Sequence, residues 1–293
     1  MKRLLKIIED NGIQIIEIII SIFVLILPKI FNIKGMFSDY LKANIIEPDN
    51  VFYILLLGSS NVGIGIVLCV IVLRIFRKYN HDSVMMNRVN TYHSYPYWWF
   101  WFSAKVLNIR KCNLKKVPQD MQTKIVVNEL FDDFPIDDND YPEDNADVKL
   151  ERKNFRNGNT PKEINLVIED TYPIEYRQLP RLKASLPTIR VYRERGNDLS
   201  RHYSPELIKT VSSELRQLPE GITVNIFATL NPKNMLYIAR NALAMAERGN
   251  VKHLYVFQQK SIDGRHFNDN GKKIYLFQHQ RLLQLYNSEY LRI

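Results

Sequence analysis

The feature that most constrains this chain is an uncharged apolar run, Val51–Leu73, which reads VFYILLLGSSNVGIGIVLCVIVL. An α-helix rises about 1.5 Å per residue, so a run of this length crosses a hydrocarbon core of about 30 Å. The run therefore predicts a transmembrane helix. The alternative is a helix buried in a protein core, although such helices rarely extend this far without a charged residue.

A second apolar run, Ile13–Phe31, precedes the first and contains a single carboxylate, Glu17, before Lys29. A charge inside a bilayer is costly, so Glu17 is expected to lie near the entry of the helix, to face a partner or to be protonated. Another interpretation makes it a polar position in a pore. Together the two runs predict a membrane hairpin over residues 1–78, with spans at about 13–31 and 51–73.

Basic residues flank the two spans asymmetrically. The N-terminal flank and the flank after the second span are basic, whereas the connection from Asn32 to Asn50 is nearly neutral. By the positive-inside rule, both termini face the cytoplasm and the connection faces outward. No small-residue cleavage site follows the first run, so it is expected to remain as a span. The basic residues of the two flanks are Lys2, Arg3, Lys6, Arg74, Arg77, Lys78 and Arg88.

All three tryptophans of the 293 residues lie in one run, YPYWWFWF, at residues 95–102. Amphipathic rings suit the level of the lipid headgroups, whereas a globular core distributes large aromatic side chains over several elements. We predict that Trp98, Trp99 and Trp101 lie against the cytoplasmic membrane face. The alternative is that the run packs beneath the soluble part of the chain as a structural layer.

The aromatic run belongs to a connector, residues 79–150, that ends in an acidic stretch. Residues 135–147 read PIDDNDYPEDNAD, with prolines, like charges and no apolar period, which predicts a solvated linker or loop. An acidic cluster can also bind calcium, but this one lacks the glycine and the terminal glutamate of an EF-hand loop.

Residues 151–293 alternate between strand and helix patterns. Ser204-Pro205 and Asn231-Pro232 each predict a helix start, because a capping residue is followed by proline. Such alternation predicts an α/β, Rossmann-like domain with a mostly parallel sheet and flanking helices, in which the last two strands can form a hairpin. A final helix is expected around Leu282–Tyr286. The predicted strands are Ile164–Ile168, Ile189–Tyr192, Ile222–Phe227, His253–Phe257 and Ile274–Phe277.

Ligands of open α/β sheets bind beyond the carboxyl ends of the strands, where three polar segments of this chain are expected to meet. The segment after the third strand also begins a helix, whose N–H groups and dipole suit a phosphate, and Lys233 adds a full charge there. The alternative is that Asn231 is only a helix cap and Lys233 a solvated surface residue. The predicted ligand-binding residues are Asp170, Thr171, Thr229, Asn231, Lys233, Asn234, Gln258 and Lys260.

Composition limits the remaining function classes. The net charge of +9 lies partly in the membrane flanks, and no basic helix is interleaved with stacking aromatic residues, so DNA is not an expected partner. Two cysteines and six scattered histidines provide neither a disulfide framework nor the spacing of zinc ligands. We therefore expect no metal and no bound cofactor.

The chain also lacks the nucleotide-binding and nucleophile motifs of common enzymes, so no catalytic residue is predicted and the chain is not expected to be an enzyme. Two other classes stay open at this point. One is a membrane-tethered Rossmann-like enzyme that processes a nucleotide with Asp170 or Glu169 as the base. The other is a passive membrane adaptor that binds a protein partner.

Two segments carry a resemblance to a known family: GITVNIFATLNPKNMLYIARNAL at Gly221–Leu243 and KHLYVFQ at Lys252–Gln258. They resemble the C-terminal half of a SAVED domain, which has a strand ending in phenylalanine, an alanine-rich turn with a proline, a helix, and a strand ending in an aromatic residue. The resemblance covers roughly residues 164–278. The residues that match this pattern are Phe227, Ala228, Pro232 and Arg240.

The resemblance implies a two-transmembrane effector of the cyclic-oligonucleotide-based anti-phage systems of bacteria. Residues 151–293 would then form a SAVED-like domain, related to CARF domains, that senses a cyclic oligonucleotide. The family further implies that the bound ligand drives homo-oligomerisation, after which the hairpins disrupt the inner membrane and cause abortive infection. The implied partners are therefore a cyclic oligonucleotide as activating ligand, the lipid bilayer and further copies of the chain.

Overall fold

The computed structural model describes residues 2–36, 60–87, 92–144, 146–156, 160–194, 200–244, 250–260 and 266–274, with side chains from Asn11 onward. The chain divides into two compact units. The first comprises Met1–Arg88 and Trp98–Cys112, and the second comprises Val89–Tyr97 and Asn113–Ile293.

Two long helices build most of the first unit. Helix α1 spans Lys2–Ile30 and bends at Asn11, whose backbone leaves the helical region (φ −131°, ψ 25°). Helix α2 spans Asn61–Asn80. It begins after Ser60, whose Oγ accepts a hydrogen bond from the Gly63 N–H at 3.2 Å, so a side-chain cap sets the start of the helix.

Polar contacts at the two ends of α2 show that it lies antiparallel to α1. Beyond the end of α1, the Asn61 side chain accepts from the Lys34 N–H at 2.9 Å and donates to Asn32 Oδ1 at 3.1 Å. At the other end, Asn80 Nδ2 donates to Glu17 Oε2 at 2.9 Å. Both Glu17 and Asn80 are buried, so this carboxylate faces a partner, which is one of the explanations that its sequence position left open.

One helical stretch among the described residues, Asn11–Ile30, is long and apolar enough to cross a membrane. The second predicted span, 51–73, lies partly in residues 37–59, which are outside the described ranges, and α2 starts only at Asn61. The transmembrane hairpin and the multi-pass topology therefore stay predictions.

The aromatic run leads into the remainder of the first unit. Residues Tyr97–Trp101 form a short helix, α3, which continues as a π-helical turn over Phe102–Val106. Arg77 holds this turn to α2, since its Nη1 donates to the carbonyl oxygens of Lys105 at 2.7 Å and Val106 at 3.0 Å. Two short strands, β1 (Val84–Met85) and β2 (Lys111–Cys112), pair in parallel beside it.

A six-stranded sheet forms the centre of the second unit, in the order β3-β5-β4-β6-β7-β8. The inner strands β5, β4, β6 and β7 run parallel, whereas the edge strands β3 and β8 are antiparallel to their neighbours. The bounds are β3 (Val148–Lys153), β4 (Glu163–Glu169), β5 (Thr188–Arg193), β6 (Ile222–Thr229), β7 (Val251–Phe257) and β8 (Lys272–Ile274).

The sheet is therefore mixed, and the prediction of a mostly parallel sheet is wrong. Strand β3 escaped prediction because its sequence, VKLERK, is charged and its side chains are largely exposed at the edge, unlike the buried residues of β4. Strand β8 returns beside β7, and an antiparallel bridge between Gln259 and Phe267 extends their pairing. A returning strand of this kind needs no crossover helix, whereas a parallel strand does.

The central strands β4 and β6 bury side chains on both faces, as expected when helices cover a parallel region. On one face, Phe227 stacks on Phe257 with ring centroids 4.4 Å apart, and Phe267 meets Phe227 edge-on at 5.1 Å. These rings pack with Val167 in a single apolar cluster. The cluster holds the ends of β4, β6 and β7 together beneath the loops that follow them.

Helices complete the second unit. The bounds are α4 (Gln119–Val127), α5 (Arg181–Ala184), α6 (Pro205–Arg216) and α7 (Pro232–Ile238), and α7 continues as a π-helical turn over Ala239–Leu243. Both predicted helix starts are confirmed, because the Ser204 and Asn231 side chains accept N–H groups of the first turns of α6 and α7. The helix predicted around Leu282–Tyr286, and the end of the fifth predicted strand, lie outside the described residues.

Candidate ligand-binding site

The direction of chain connection reverses at the centre of the sheet. The chain passes from β4 to β5 on one side and then crosses to β6 on the other, so the loops after β4 and β6 diverge. Sheets of this kind bind ligands at that point. A cavity of about 570 Å³ lies there, a volume within the range of small-molecule sites.

Three cationic side chains and one carboxylate line this cavity: Lys115, Lys116, Arg201 and Asp140. Lys115 Nζ pairs with Asp140, and this hydrogen bond raises the pKa of the Lys115 ammonium above its ordinary value. Lys115 is therefore charged at neutral pH. The balance of charge in the wall is positive, which suits an anionic ligand.

Aromatic rings also reach the cavity. Tyr92 and Tyr172 are about half exposed, at 49% and 43%, while Tyr141 is buried. Burial is the main cause that raises the pKa of Tyr92 and of Tyr141, so both hydroxyls stay protonated at neutral pH. Exposed rings in a cationic site offer faces on which a nucleobase can stack.

Amide side chains join the wall of the cavity to the sheet. The Gln119 N–H donates to Gln258 Oε1 at 2.8 Å, and Gln119 Nε2 donates to the Leu230 carbonyl at 3.0 Å. The start of α4 is thereby fixed to the loops after β6 and β7. One turn further along, the buried Gln122 donates to the carbonyls of Leu114 and Val117, which shapes the turn that carries Lys115.

Asp170 holds together the elements behind the cavity. Its Oδ2 accepts from the Asn231 N–H at 3.1 Å, from Asn231 Nδ2 at 2.7 Å and from Asn234 Nδ2 at 3.0 Å. Its Oδ1 lies 3.3 Å from Arg193 Nε, and both side chains are nearly fully buried. Asp170 therefore ties the end of β4 to the start of α7 and to β5, and it does not line the cavity.

Lys233 does not line the cavity. Its Nζ lies 2.8 Å from Asp138 Oδ1 and 3.5 Å from the Tyr141 carbonyl oxygen, and it sits 4.5 Å from the centre of the Tyr203 ring. Asn234, fully buried, donates to Asp170 and to the His202 carbonyl. Neither side chain is among those that line the cavity.

The predicted ligand-binding residues divide into two sets of equal size. Thr171, Thr229, Asn231 and Gln258 line the cavity, whereas Asp170, Lys233, Asn234 and Lys260 do not. In the second set, Lys260 is exposed and lies 3.4 Å from Asp269. Sequence reasoning missed the cations of the cavity and Tyr92, because they come from segments remote from the ends of the strands.

The two carboxylates considered as a catalytic base are both engaged elsewhere. Glu169 is buried and accepts a bidentate pair from Arg190, Nε to Oε1 at 2.8 Å and Nη2 to Oε2 at 2.9 Å. Asp170 accepts the bonds described above. Within the part of the chain that the structure describes, no cluster of three or more histidine, cysteine or acidic side chains is arranged to hold a metal ion.

The three tryptophans of the first unit occupy different surroundings. Trp99 is buried at 8% exposure, and its Nε1 donates to Asn11 Oδ1 at 2.9 Å, which ties α3 to the bend of α1. Trp98 and Trp101 are exposed, at 60% and 47%. Only these two have indole rings at the surface of the unit.

Comparison with known proteins places most of the chain beside one family. A family model described as SUa-2TM, SMODS- and Ubiquitin system-associated 2TM effector domain, matches residues 1–275. A search among curated proteins found no match.

Two of the solved structures that match are Acinetobacter baumannii Cap4 SAVED/CARF-domain containing receptors, one with the cyclic trinucleotide 2'3'3'-cAAA and one with 3'3'3'-cAAA. Each match has a TM-score of 0.39 and 10% sequence identity, and each covers 61% of this chain. The chain spans 42% of the length of those receptors.

Proposed function

The chain belongs to the family of SMODS- and Ubiquitin system-associated 2TM effector domains, and on this premise we propose that it is a membrane effector of bacterial anti-phage defence whose second unit binds a cyclic oligonucleotide. The family match agrees with the resemblance to two-transmembrane effectors that the sequence carries. The observation that supports this class of ligand is the cavity beyond β4 and β6, where cations, exposed tyrosines and amides meet.

Each of these groups has a matching part in an oligonucleotide. Lys115, Lys116 and Arg201 supply charge for phosphates, and a guanidinium can bind phosphate oxygens in pairs. Tyr92 and Tyr172 supply exposed faces for bases. A cyclic oligonucleotide contains phosphates and bases at a fixed spacing, so it fits this mixture better than a simple anion or an apolar molecule does.

The first unit supports a membrane location because its burial is inverted relative to a soluble protein. On α1 the buried polar side chains Asn11, Glu17 and Ser21 face inward, while apolar side chains 39–69% exposed cover the outside of both helices. In water such a surface is a liability, whereas lipid solvates it. The exposed side chains are Ile13, Ile16, Ile19, Ile20, Ile22, Phe23, Ile26, Ile30, Val62, Ile66, Val67, Val70, Ile71 and Ile75.

We place both helices in the bacterial inner membrane, with the N- and C-termini in the cytoplasm, as the basic flanks predict. Ligand binding then drives assembly of several copies, and the assembled helices disrupt the membrane and abort the infection. The support for these two steps is the family and the resemblance to SAVED-containing effectors, together with the lipid-compatible surface of α1 and α2.

The ligand is tested with the full-length chain in lipid nanodiscs, melted in the presence of cyclic di-, tri- and tetranucleotides. A ligand present at about 100 times its Kd stabilises the protein by about 2.7 kcal/mol, which gives a measurable shift of Tm. We expect one ligand to raise the Tm, and Arg201→Ala to reduce that shift. Lys209→Ala is the matched control, because Lys209 is 78% exposed and lies on α6 outside the cavity.

If no member of the panel shifts the Tm of the folded chain, the ligand assignment is wrong. The membrane step is measured separately, as dye release from liposomes that contain the full-length chain, with and without the ligand that shifts the Tm. Release that does not depend on that ligand would separate membrane action from sensing.

A further inference from the structure

The acidic stretch Asp137–Asp144, here named the acidic strap, is fixed at one end. The Asp144 carboxylate pairs with the buried Arg193. The backbone N–H of Asp144 donates to the Tyr203 carbonyl at 2.9 Å, and the Tyr203 N–H donates to the Pro142 carbonyl at 2.9 Å. Tyr141 is buried at 1% exposure. Residues 141–144 therefore form the firm base of the acidic strap, although the sequence predicted a solvated linker.

The other end of the acidic strap projects its carboxylates towards two lysines. Asp138–Asp140 form a 3-10 turn, in which Asp137 Oδ1 accepts the Asn139 N–H at 3.0 Å. From this turn Asp140 pairs with Lys115, and Asp138 pairs with Lys233 at 2.8 Å. The turn thus places one carboxylate on a cation of the cavity wall and another on the cation at the start of α7.

The two pairs differ from the pair at the base in their access to water. In the two outer pairs the carboxylates are accessible, with Asp138 87% and Asp140 44% exposed, while Lys233 and Lys115 are 11% and 25% exposed. In the pair at the base, the Arg193 side chain is only 3% exposed. An ion pair that water and salt can reach contributes little stability, and here they reach the carboxylate of each outer pair. An arriving anion can therefore exchange for these carboxylates without unfolding the base.

From these contacts the geometry points to an internal competitor of the ligand: Asp138 pairs with Lys233, and Asp140 pairs with Lys115, where two anionic groups of the ligand would bind. The ligand must therefore displace the tip of the acidic strap, the turn Asp138–Asp140, in order to bind. This inference rests on the proposed function, because it concerns regulation of the same cavity. The inference also returns Lys233 to the predicted site. Asp138 covers Lys233 in the structure, and Lys233 becomes available to the ligand when the turn Asp138–Asp140 is displaced. The chemical class of the displacing group is phosphate.

The test uses inorganic tripolyphosphate as the probe and the full-length chain in nanodiscs, with Kd measured by calorimetry at fixed salt. Asp138→Asn combined with Asp140→Asn removes both competing charges at exposed positions. We expect this double variant to bind tripolyphosphate about two- to thirtyfold more tightly than the unmodified chain, which is the gain expected when two ion pairs with accessible carboxylates are removed. Adding Lys115→Ala should cancel most of that gain.

Glu206→Gln combined with Glu220→Gln is the matched control, because it removes the same charge from exposed carboxylates outside the cavity wall. Equal tightening in the control and in the double variant would overturn the inference, since the effect would then be net charge alone. Tripolyphosphate binding that is absent from both the unmodified chain and the double variant would overturn it as well. If the double variant binds tripolyphosphate more tightly but no cyclic oligonucleotide binds, the proposed ligand fails and the competition stands.

Discussion

Asp170→Ala should destabilise the second unit by about 3 kcal/mol, although the sequence predicted Asp170 as a ligand-binding residue. Breaking a buried ion pair costs about 3–5 kcal/mol, because the remaining charge stays buried. The lower end applies here. Arg193 keeps its pair with Asp144, and the Asn231 and Asn234 amides keep the His202 carbonyl as an acceptor, at 2.7 and 2.9 Å.

The assay is pulse proteolysis of the full-length chain in urea, which reports the fraction of the second unit that is unfolded. With a urea dependence of about 1–3 kcal/mol per molar, a loss of about 3 kcal/mol lowers the midpoint by about 1–3 M. Asp269→Asn is the control, since its side chain is 80% exposed and its substitution should leave the midpoint unchanged.

An Asp170→Ala midpoint that matches Asp269→Asn would refute this reasoning, because the network around Asp170 would then contribute nothing measurable. Asp170→Asn separates charge from shape: it keeps one acceptor oxygen but turns an amide N–H₂ towards donors, so an intermediate midpoint is expected. If Asp170→Ala instead abolished ligand binding at an unchanged midpoint, Asp170 would be a direct ligand contact after all.

Two further predictions concern the first unit. A Cβ at Gly65 would overlap the carbonyl oxygen of Leu25, so Gly65→Ala should force α1 and α2 apart and lower the Tm in nanodiscs, at an overpacking cost of about 1–3 kcal/mol. Gly12→Ala is the control, because a Cβ at Gly12 meets open space and should leave the Tm unchanged. Equal Tm values for the two variants would contradict the close packing of the helices at Gly65. Burial raises the pKa of the Cys112 thiol, so in a Cys69→Ser background Cys112 should resist a maleimide at neutral pH and react only after urea is added. Mass spectrometry follows the labelling. Rapid labelling of the native chain would contradict the burial of Cys112 in β2.

The centre of the sheet could be predicted from sequence because its signals are local. The inner strands are runs of apolar and β-branched residues, and the caps at Ser204 and Asn231 are fixed by side chains next to the helices they start. The edges could not be predicted in the same way. Strand β3 pairs with β5 through backbone groups while its side chains face water, so its sequence carries no apolar period.

The candidate site was half predictable for a related reason. The rule that ligands bind beyond the strand ends finds Thr171, Thr229 and Gln258, since each follows or ends a strand. It cannot find Lys115, whose segment is joined to the strand ends by hydrogen bonds from Gln119 to residues more than 100 positions away. A polar turn before a helix is a weak signal, and nothing local indicates which strand ends that helix covers.

The sequence does not show in which direction a side chain points, and this limited the predictions for Lys233 and for the three tryptophans. The helix start predicted a cation near the ligand, but an unpaired carboxylate elsewhere in the chain can capture that cation first, as Asp138 does. In the aromatic run, composition alone gave Trp98, Trp99 and Trp101 the same role. A helix of five residues has a buried side, and only its rotation decides that Trp99 bonds to Asn11 while the other two rings face outward. Trp99 is therefore packed within the first unit, and a contact with lipid headgroups is to be sought at Trp98 and Trp101.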